Sequence, residues 1–563
     1  MKRKDNGLRP PYEILNFIKI YEKSFIENWD LPALTDYSGG RTESYGELAA
    51  TIARAHLFFE SLGLRPGDKV ALCGRDSVQW VKIYMAVVTY GAVIVPILSD
   101  FNPVDITHIV NHSGSRLLFI SSSIWEHINP ESLLEVEGVF DIDRHEVLLE
   151  RESNPASEHL KLLKRRFRRR YPEGFTSEDI RYANRDNSEP VEINYTSGTT
   201  GFSKGVVLTG ENLAGNVCFG MESGLHFRSS RALSFLPLAH AYGCAFDMLT
   251  PLAVGSHVTL LGKTPSPRVL LKALGEVKPN LVICVPLILE KIYKHQILPM
   301  LSQPKIKRAL RVPMLDTLIY SRIRKKLTAA FGGCFEEVIV GGAPLNHEVE
   351  EFLHKIRFPF TVGYGMTECG PLISYTPWRK FKVGSSGRTL PGMETIVLSD
   401  DPERIPGEIC VKGTNVMRGY YKNAEATELV LSESGWLKTG DVGTRGSDGT
   451  LFLRGRSKTM LLSGSGQNIY PEEIEAKLNN LPLVAESLVV MRDGRLVGMV
   501  YPDFEQMDRL GITSARLPSA MEEVCATLNS QVAPYERLSR IVLMPNEFEK
   551  TPKRSIKRYL YSN

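Results

Sequence analysis

From about residue 67 to residue 345 short apolar, β-rich runs alternate with helical stretches. The runs are VALCG from Val70, RLLFIS from Arg116, EINYT from Glu192, ALSFLPL from Ala232, HVTLLG from His257, LVICVP from Leu281 and EVIVGG from Glu337. Strands that alternate with helices predict an α/β sheet with parallel strands and covered faces. The longest apolar run, Met85 to Leu98, is fourteen residues and is broken by Gly91 and Pro96. It is too short to span a bilayer. It reads as the end of a buried helix, a stop at Gly91, and then a buried strand.

Beyond Gly392 the texture changes to short strands and frequent turns, marked by Gly407, Gly413, Gly419, Gly435, Gly440, Gly443 and Gly449. Residues 392–455 therefore read as a small β-rich subdomain. After Arg456 come a helix with an acidic start, PEEIEAKLNNL, strands near 487 and 497, and a helix near 518. A chain of 563 residues is expected to hold two or three cores. The predicted fold is α/β: a large N-terminal domain of layered α/β subdomains, residues 1–455, followed by a mobile α+β C-terminal lid, residues 456–563.

Composition adds little beyond class. With 43% hydrophobic and 23% charged residues the chain is an ordinary globular protein, and a net charge of +4 is too small to imply nucleic acid. The eight cysteines show no C-x-x-C pair and no zinc spacing, which suits a reducing cytosol. The N-terminus has a basic start but no apolar region behind it, so a cytoplasmic protein is expected. One segment stands out: KLLKRRFRRR, Lys161 to Arg170, with seven cations in ten residues. It reads first as a solvated, partly disordered insertion. A sharper expectation is that Leu162, Leu163 and Phe167 dip into an anionic membrane surface while the cations pair with headgroups, placing the protein peripherally on the inner face of a membrane.

The chemistry concentrates in YTSGTTGFSKGVVLT, Tyr195 to Thr209. Three glycines, four hydroxyls from Thr196 to Thr200, another at Ser203, and Lys204 converge within eleven residues. Glycine permits close backbone approach, the hydroxyls and amides donate, and the ammonium supplies charge, so the loop is suited to a polyphosphate. It is not a Walker A loop, because Lys204 is followed by Gly205 rather than by a Mg²⁺-binding hydroxyl.

Four later motifs continue the theme. VIVGGAP, Val338 to Pro344, ends a strand in two glycines that let a flat base lie against backbone. GYGMTE, Gly363 to Glu368, offers a ring, a hydroxyl and a carboxylate in one turn. GWLKTGD, Gly435 to Asp441, ends in a carboxylate suited to both ribose hydroxyls, and GRSK, Gly455 to Lys458, opens the last domain.

Together with LPLAHAYG, residues 236–243, these motifs stand in the order of the adenylate-forming superfamily, and the chain most resembles its fatty acyl-CoA ligases over residues 40–560. The resemblance implies two half-reactions at one site. ATP and a fatty acid of medium or long chain give acyl-AMP and pyrophosphate, and the thiol of CoA then takes the acyl group. A carrier-protein phosphopantetheine is the alternative acceptor, and an adenylation-deficient nucleotide- or acyl-binding protein is the alternative of another class.

The resemblance also implies roles. Thr196, Ser197, Gly198, Thr199, Thr200 and Lys204 would cradle the β- and γ-phosphates. Gly342, Ala343, Pro344 and Tyr364 would hold adenine, and Thr367 would touch the α-phosphate. Glu368, with Thr196, would bind Mg²⁺, while Asp441 and Arg456 would bind ribose. His240 falls beside the acyl carboxylate, Lys458 at the hinge of the C-terminal domain, and Ser463 to Gly466 at the pantetheine tunnel. Gly365 takes the place of a bulky tryptophan in acetate-specific members, which leaves room for a longer chain. Phe235, Val285, Pro286 and Leu287 are the expected apolar lining.

The last motif departs from the pattern. Where the family has T-x-x-G-K-[IL]-x-R, this chain has Thr551-Pro552-Lys553-Arg554-Ser555-Ile556-Lys557-Arg558, so serine stands in place of the catalytic lysine. In an extended segment positions 553, 555 and 557 share a face, about 7 Å apart. Lys553 is the expected substitute and Lys557 the second candidate.

Overall fold

The structure, a computed structural model, describes residues 13–196, 203–262, 266–462, 467–551 and 556–561. The alternation of strand and helix closes into an eight-stranded sheet. Its order is 419–420, 204–209, 190–196, 93–97, 69–73, 115–120, 138–141 and 147–150. From 190–196 to 138–141 neighbours run parallel, as the helical crossovers require. The strand Lys204–Thr209 instead runs antiparallel to Pro190–Thr196, with Thr196 opposite Lys204. The seven residues between them are too few for a crossover, so the sheet is mixed where the sequence predicts a parallel one.

The stop at Gly91 behaves as expected. The helix Val78–Tyr90 is capped by the Ser77 side chain, which accepts from the Trp80 N–H, and it ends on Gly91 in the left-handed conformation, φ 86°. The buried strand Val93–Ile97 follows. Trp80 and Tyr84, fully buried and stacked at 5.5 Å, anchor this helix in the main core.

A four-stranded sheet (231–234, 257–260, 32–36, 43–44) and a parallel three-stranded sheet (282–284, 338–340, 360–362) complete the larger layers. The β-rich region after Gly392 contains an antiparallel sheet of strands 393–398, 407–413, 437–445 and 451–456. Residues after 469 build a separate core around Ile474, Leu478, Val484, Val489, Val500 and Leu528. It lies between the sheet of 484–492, 495–502 and 538–543 and the helices Pro471–Asn479 and Leu517–Asn529.

The cationic segment is ordered. It forms the helix Ala156–Arg170, and its apolar side is committed to the protein. Leu163 packs on the main core, and Phe167 meets Tyr171 at 5.0 Å and Phe175 at 6.0 Å beneath the Arg54 guanidinium. Leu163 and Phe167 are thus not available to enter a bilayer, contrary to the sharper expectation; only Leu162 remains exposed. Lys161, Lys164, Arg165, Arg168, Arg169 and Arg170 face solvent. Among the described residues no helix is long and apolar enough to cross a membrane.

Candidate active site

The hairpin that carries the polyphosphate loop is pinned at its base. Strand pairing sets Thr196 against Lys204, and the Tyr421 N–H donates to the Gly205 carbonyl at 2.7 Å. Ser197, Gly198, Thr199 and Thr200 lie outside the described residues, as do Ser463 to Gly466 and Lys553. The Lys204 ammonium sits 4.9 Å from the centre of the Tyr420 ring. The Tyr420 hydroxyl donates at 2.9 Å to Oε1 of Glu368. Glu368 belongs to the short turn Thr367–Cys369, where Thr367 is buried. The structure therefore brings the loop lysine and the GYGMTE carboxylate to one aromatic side chain, the first at its ring and the second at its hydroxyl.

A second cluster lies beside the first. Tyr364 is buried, and its hydroxyl donates to Oδ2 of Asp441 at 2.7 Å. The strand pairing of 437–445 with 451–456 puts Arg456 opposite Asp441, and Arg456 Nε lies 3.2 Å from Oδ1. Burial pushes the Asp441 carboxyl above its ordinary range; Arg456 and the Tyr364 hydroxyl draw it back down, while the Glu368 charge adds to the rise. Burial also raises the Tyr364 phenol well above its ordinary value, so it remains a donor.

The strand Val338–Val340 leads into a ledge. Gly341 and Leu345 are buried, whereas Gly342, Ala343 and Pro344 are exposed in a row. Gly342 has φ 84°, and a Cβ at Gly341 would meet the Tyr242 ring at 3.0 Å, so small residues keep this backbone open to a flat group. Val285 flanks the ledge, 3.8 Å from where a Gly342 Cβ would stand. Phe235 is buried, but Leu287 is half exposed.

Gly365 also answers a local constraint. A Cβ there would meet the Pro371 carbonyl oxygen at 2.3 Å, so the hairpin of 364–365 with 372–375 itself demands glycine.

His240 ends a loop held from below by buried polar groups. Asn194 donates to the Ala239 carbonyl at 3.1 Å and to Glu192, which also accepts from Tyr84 at 2.6 Å. The Leu238 N–H donates to Asp76 at 3.1 Å, and Asp247 binds the Leu236 N–H. His240 itself is half-buried at the start of the turn Ala241–Gly243. Burial raises the Glu192, Asp76 and Asp247 carboxyls, Asp76 to about 7.

Toward the C-terminus Lys458 is exposed in a turn closed by the Thr459 and Met460 N–H groups on the Arg456 carbonyl. Lys557 is engaged by Glu549 at 3.5 Å. Arg558, which aligns with the arginine of the family motif, pairs with Glu475 and Glu472. Sequence reasoning missed Tyr420, whose only signal is an aromatic pair after a glycine in RGYY, and missed the buried support under His240.

The chain belongs to the AMP-binding enzyme family, whose pattern matches residues 22–421. It is 30% identical over 475 residues to the long-chain-fatty-acid–CoA ligase FadD15 of Mycobacterium bovis, covering 79% of this chain and 74% of that one. It is 26% identical to a 4-coumarate–CoA ligase of Pinus taeda, covering 98% and 95%. The structure of ATP-bound MatB from Rhodopseudomonas palustris shares the fold with a TM-score of 0.74 at 23% identity, covering 97% of this chain and 98% of that one.

Proposed function

We propose that this chain is an ATP-dependent acyl-CoA ligase acting on fatty acids of medium or long chain. The observation that carries the reading is the pairing of two clusters: Lys204, Tyr420 and Glu368 at a phosphate and metal end, and Tyr364, Asp441 and Arg456 at a base and ribose end. The long-chain name of the mycobacterial relative supports a fatty acid as substrate.

In the first half-reaction a carboxylate oxygen attacks the α-phosphorus, a P–O bond forms, and the bond to the β-phosphate oxygen breaks with pyrophosphate leaving. In the second the CoA thiolate attacks the acyl carbon, a C–S bond forms, and the C–O bond to AMP breaks. Neither step needs a covalent bond to the protein, so catalysis rests on charge compensation and placement. Lys204 neutralises the departing pyrophosphate and Thr367 meets the α-phosphate. Asp441, aimed by Arg456 and Tyr364, takes the ribose hydroxyls, and adenine lies on the Gly342–Pro344 ledge. His240 faces the acyl carboxylate.

Mg²⁺ fits as a partner of the nucleotide rather than as a resident ion. The described residues contain no group of three or more His, Cys, Asp or Glu side chains able to hold a metal. Glu368 has one oxygen committed to Tyr420, leaving Oε2 for a cation that keeps waters and phosphate oxygens as its other ligands. Thr196 is the hydroxyl that the family resemblance places with it. When bound, the ion would screen the phosphates.

Residues 1–455 act on this reading as the adenylating domain and 456–563 as a lid that turns at Lys458 between half-reactions, with Lys553 supplying the ammonium absent at Ser555. The solvent face of the helix Ala156–Arg170 meets anionic lipid electrostatically, without apolar insertion by Leu163 or Phe167. The seven cations of Lys161 to Arg170 exceed the net charge of +4, so neutralising them would leave the chain at −3. Loss of binding to anionic vesicles when these cations become glutamine is the expected result.

The test of the main reading is CoA-dependent AMP formation over a panel running from acetate to oleate and including aromatic acids, with a holo-carrier protein offered beside CoA. Turnover confined to fatty acids with CoA supports it. Turnover only with aromatic acids or only with the carrier would replace it, and tight ATP binding without AMP release for any acid would make the chain a binding protein.

A further inference from the structure

Resting on that reading, the segment Met417–Tyr421 is a strap that ties the polyphosphate hairpin to the turn carrying Glu368. Its backbone joins both: the Met417 N–H donates to the Glu368 carbonyl at 2.8 Å, the Arg418 N–H to the Val207 carbonyl at 3.0 Å, and the Tyr421 N–H to the Gly205 carbonyl at 2.7 Å. Gly419 and Tyr420 pair antiparallel with Val207 and Val206 as the edge strand of the eight-stranded sheet. The Tyr420 N–H is further fixed on the Thr427 hydroxyl at 2.9 Å. The ring therefore has little freedom to move relative to either motif.

What this placement does follows from charge. An ammonium and a carboxylate drawn to the same partly buried side chain attract each other, and in contact they would pair. Paired, Lys204 would be lost to the phosphates and Glu368 to the cation. The Tyr420 ring stands against the ammonium at 4.9 Å, and its hydroxyl occupies Oε1 of the carboxylate at 2.9 Å. Among the described residues Lys204 makes no ion pair, and Glu368 shows no partner on Oε2. Burial and the Glu368 charge raise the Tyr420 phenol, which keeps the proton it donates.

We infer that Tyr420 is a positioning residue, a neutral spacer that holds Lys204 and Glu368 apart and leaves one carboxylate oxygen and the ammonium free for the Mg²⁺–ATP complex. The two halves of the side chain serve different partners. The ring serves Lys204, and the hydroxyl serves Glu368.

The test separates them. Tyr420→Phe keeps the ring and deletes the hydroxyl; Tyr420→Leu removes both. Binding of ATP is measured by calorimetry with EDTA and with Mg²⁺, and acid-dependent ATP–pyrophosphate exchange is titrated with Mg²⁺. For Tyr420→Phe the half-saturating Mg²⁺ is expected to rise about tenfold, while metal-free ATP binding changes by less than about twofold. For Tyr420→Leu both are expected to weaken. Wild-type behaviour of Tyr420→Phe, or an equal loss of metal-free and metal-dependent binding in that variant, would overturn the inference even where Tyr420→Leu fails to fold. Absence of Mg²⁺-dependent exchange in the unaltered protein would instead strike at the ligase reading.

Discussion

The hydroxyl of Tyr364 donates to Oδ2 of Asp441 at 2.7 Å while Arg456 holds Oδ1 at 3.2 Å, so each oxygen of one half-buried carboxylate has its own partner. The two contacts together set the aim of Asp441. Tyr364→Phe keeps a ring for the base and releases one side of the carboxylate. A hydrogen bond to a charged group contributes about 1.5–3 kcal/mol, so KM for ATP is expected to rise about tenfold or more with a smaller change in kcat. Steady-state kinetics at saturating acid and CoA checks this.

With serine at position 555, the proposed function requires another lysine for adenylation. Lys557 is already engaged by Glu549 at 3.5 Å, and the adjoining Ile556 is bridged to Lys550, which leaves Lys557 little freedom to reach a nucleotide. Lys553→Ala is expected to lower ATP–pyrophosphate exchange by about a hundredfold or more, and Lys557→Ala by about threefold or less. The same variants assayed from synthetic acyl-AMP and CoA should be close to the unaltered protein.

Among the described residues, polar contacts join the core after residue 469 to the larger part of the chain. Asn346 and Asn480 exchange side-chain hydrogen bonds at 2.6 and 3.1 Å, and the Lys294 ammonium donates to the Val484 carbonyl at 2.5 Å with Asp503 at 3.6 Å. Asn346 also caps the helix His347–Lys355, so its replacement would disturb more than the contact. Asn480→Ala with Lys294→Met is the cleaner pair. Tryptic cleavage at the exposed Lys458 turn is expected to accelerate about threefold or more in the double variant, because opening that turn is limited by how firmly the domains are docked.

Asp76 supplies a pH test. Burial pushes its carboxyl up to about 7, against the Leu238 N–H that favours the charged form. The unfolded chain releases this proton near the ordinary aspartate value, so between about pH 4 and 7 the folded state binds more protons and stability falls as pH rises. Asp76→Asn keeps an acceptor for Leu238 and cannot ionise. From pH 5 to 7 the unaltered protein should lose on the order of 2 kcal/mol that the variant retains, read from urea midpoints.

Much of this was legible because it is local. The Gly91 stop, the glycine-rich hairpin and the ledge at Gly342 announce themselves through residues whose backbone needs are narrow. The Asp441–Arg456 pair was legible only as two separate motifs; the strand register that joins them is a tertiary fact. Tyr420 was illegible for the same reason, since an aromatic after a glycine ordinarily signals packing and its partners lie 52 residues away in one case and on another strand in the other. The local constraint on Gly365 was illegible too. It arises from the Pro371 carbonyl across a short hairpin, which no neighbouring residue type reveals. The helix Ala156–Arg170 looked disordered because its charge hides the apolar side that Phe167 and Leu163 bury.

In the proposed reaction a carboxylate oxygen becomes bonded to the α-phosphorus of ATP at the site of Lys204, Glu368 and Asp441. The direct measurement uses a fatty acid labelled with oxygen-18 in its carboxyl group, with ATP, Mg²⁺ and CoA, and mass analysis of the nucleotide product. AMP carrying one labelled oxygen, with unlabelled pyrophosphate, is the expected result. Unlabelled AMP, or release of ADP and phosphate, would contradict the account.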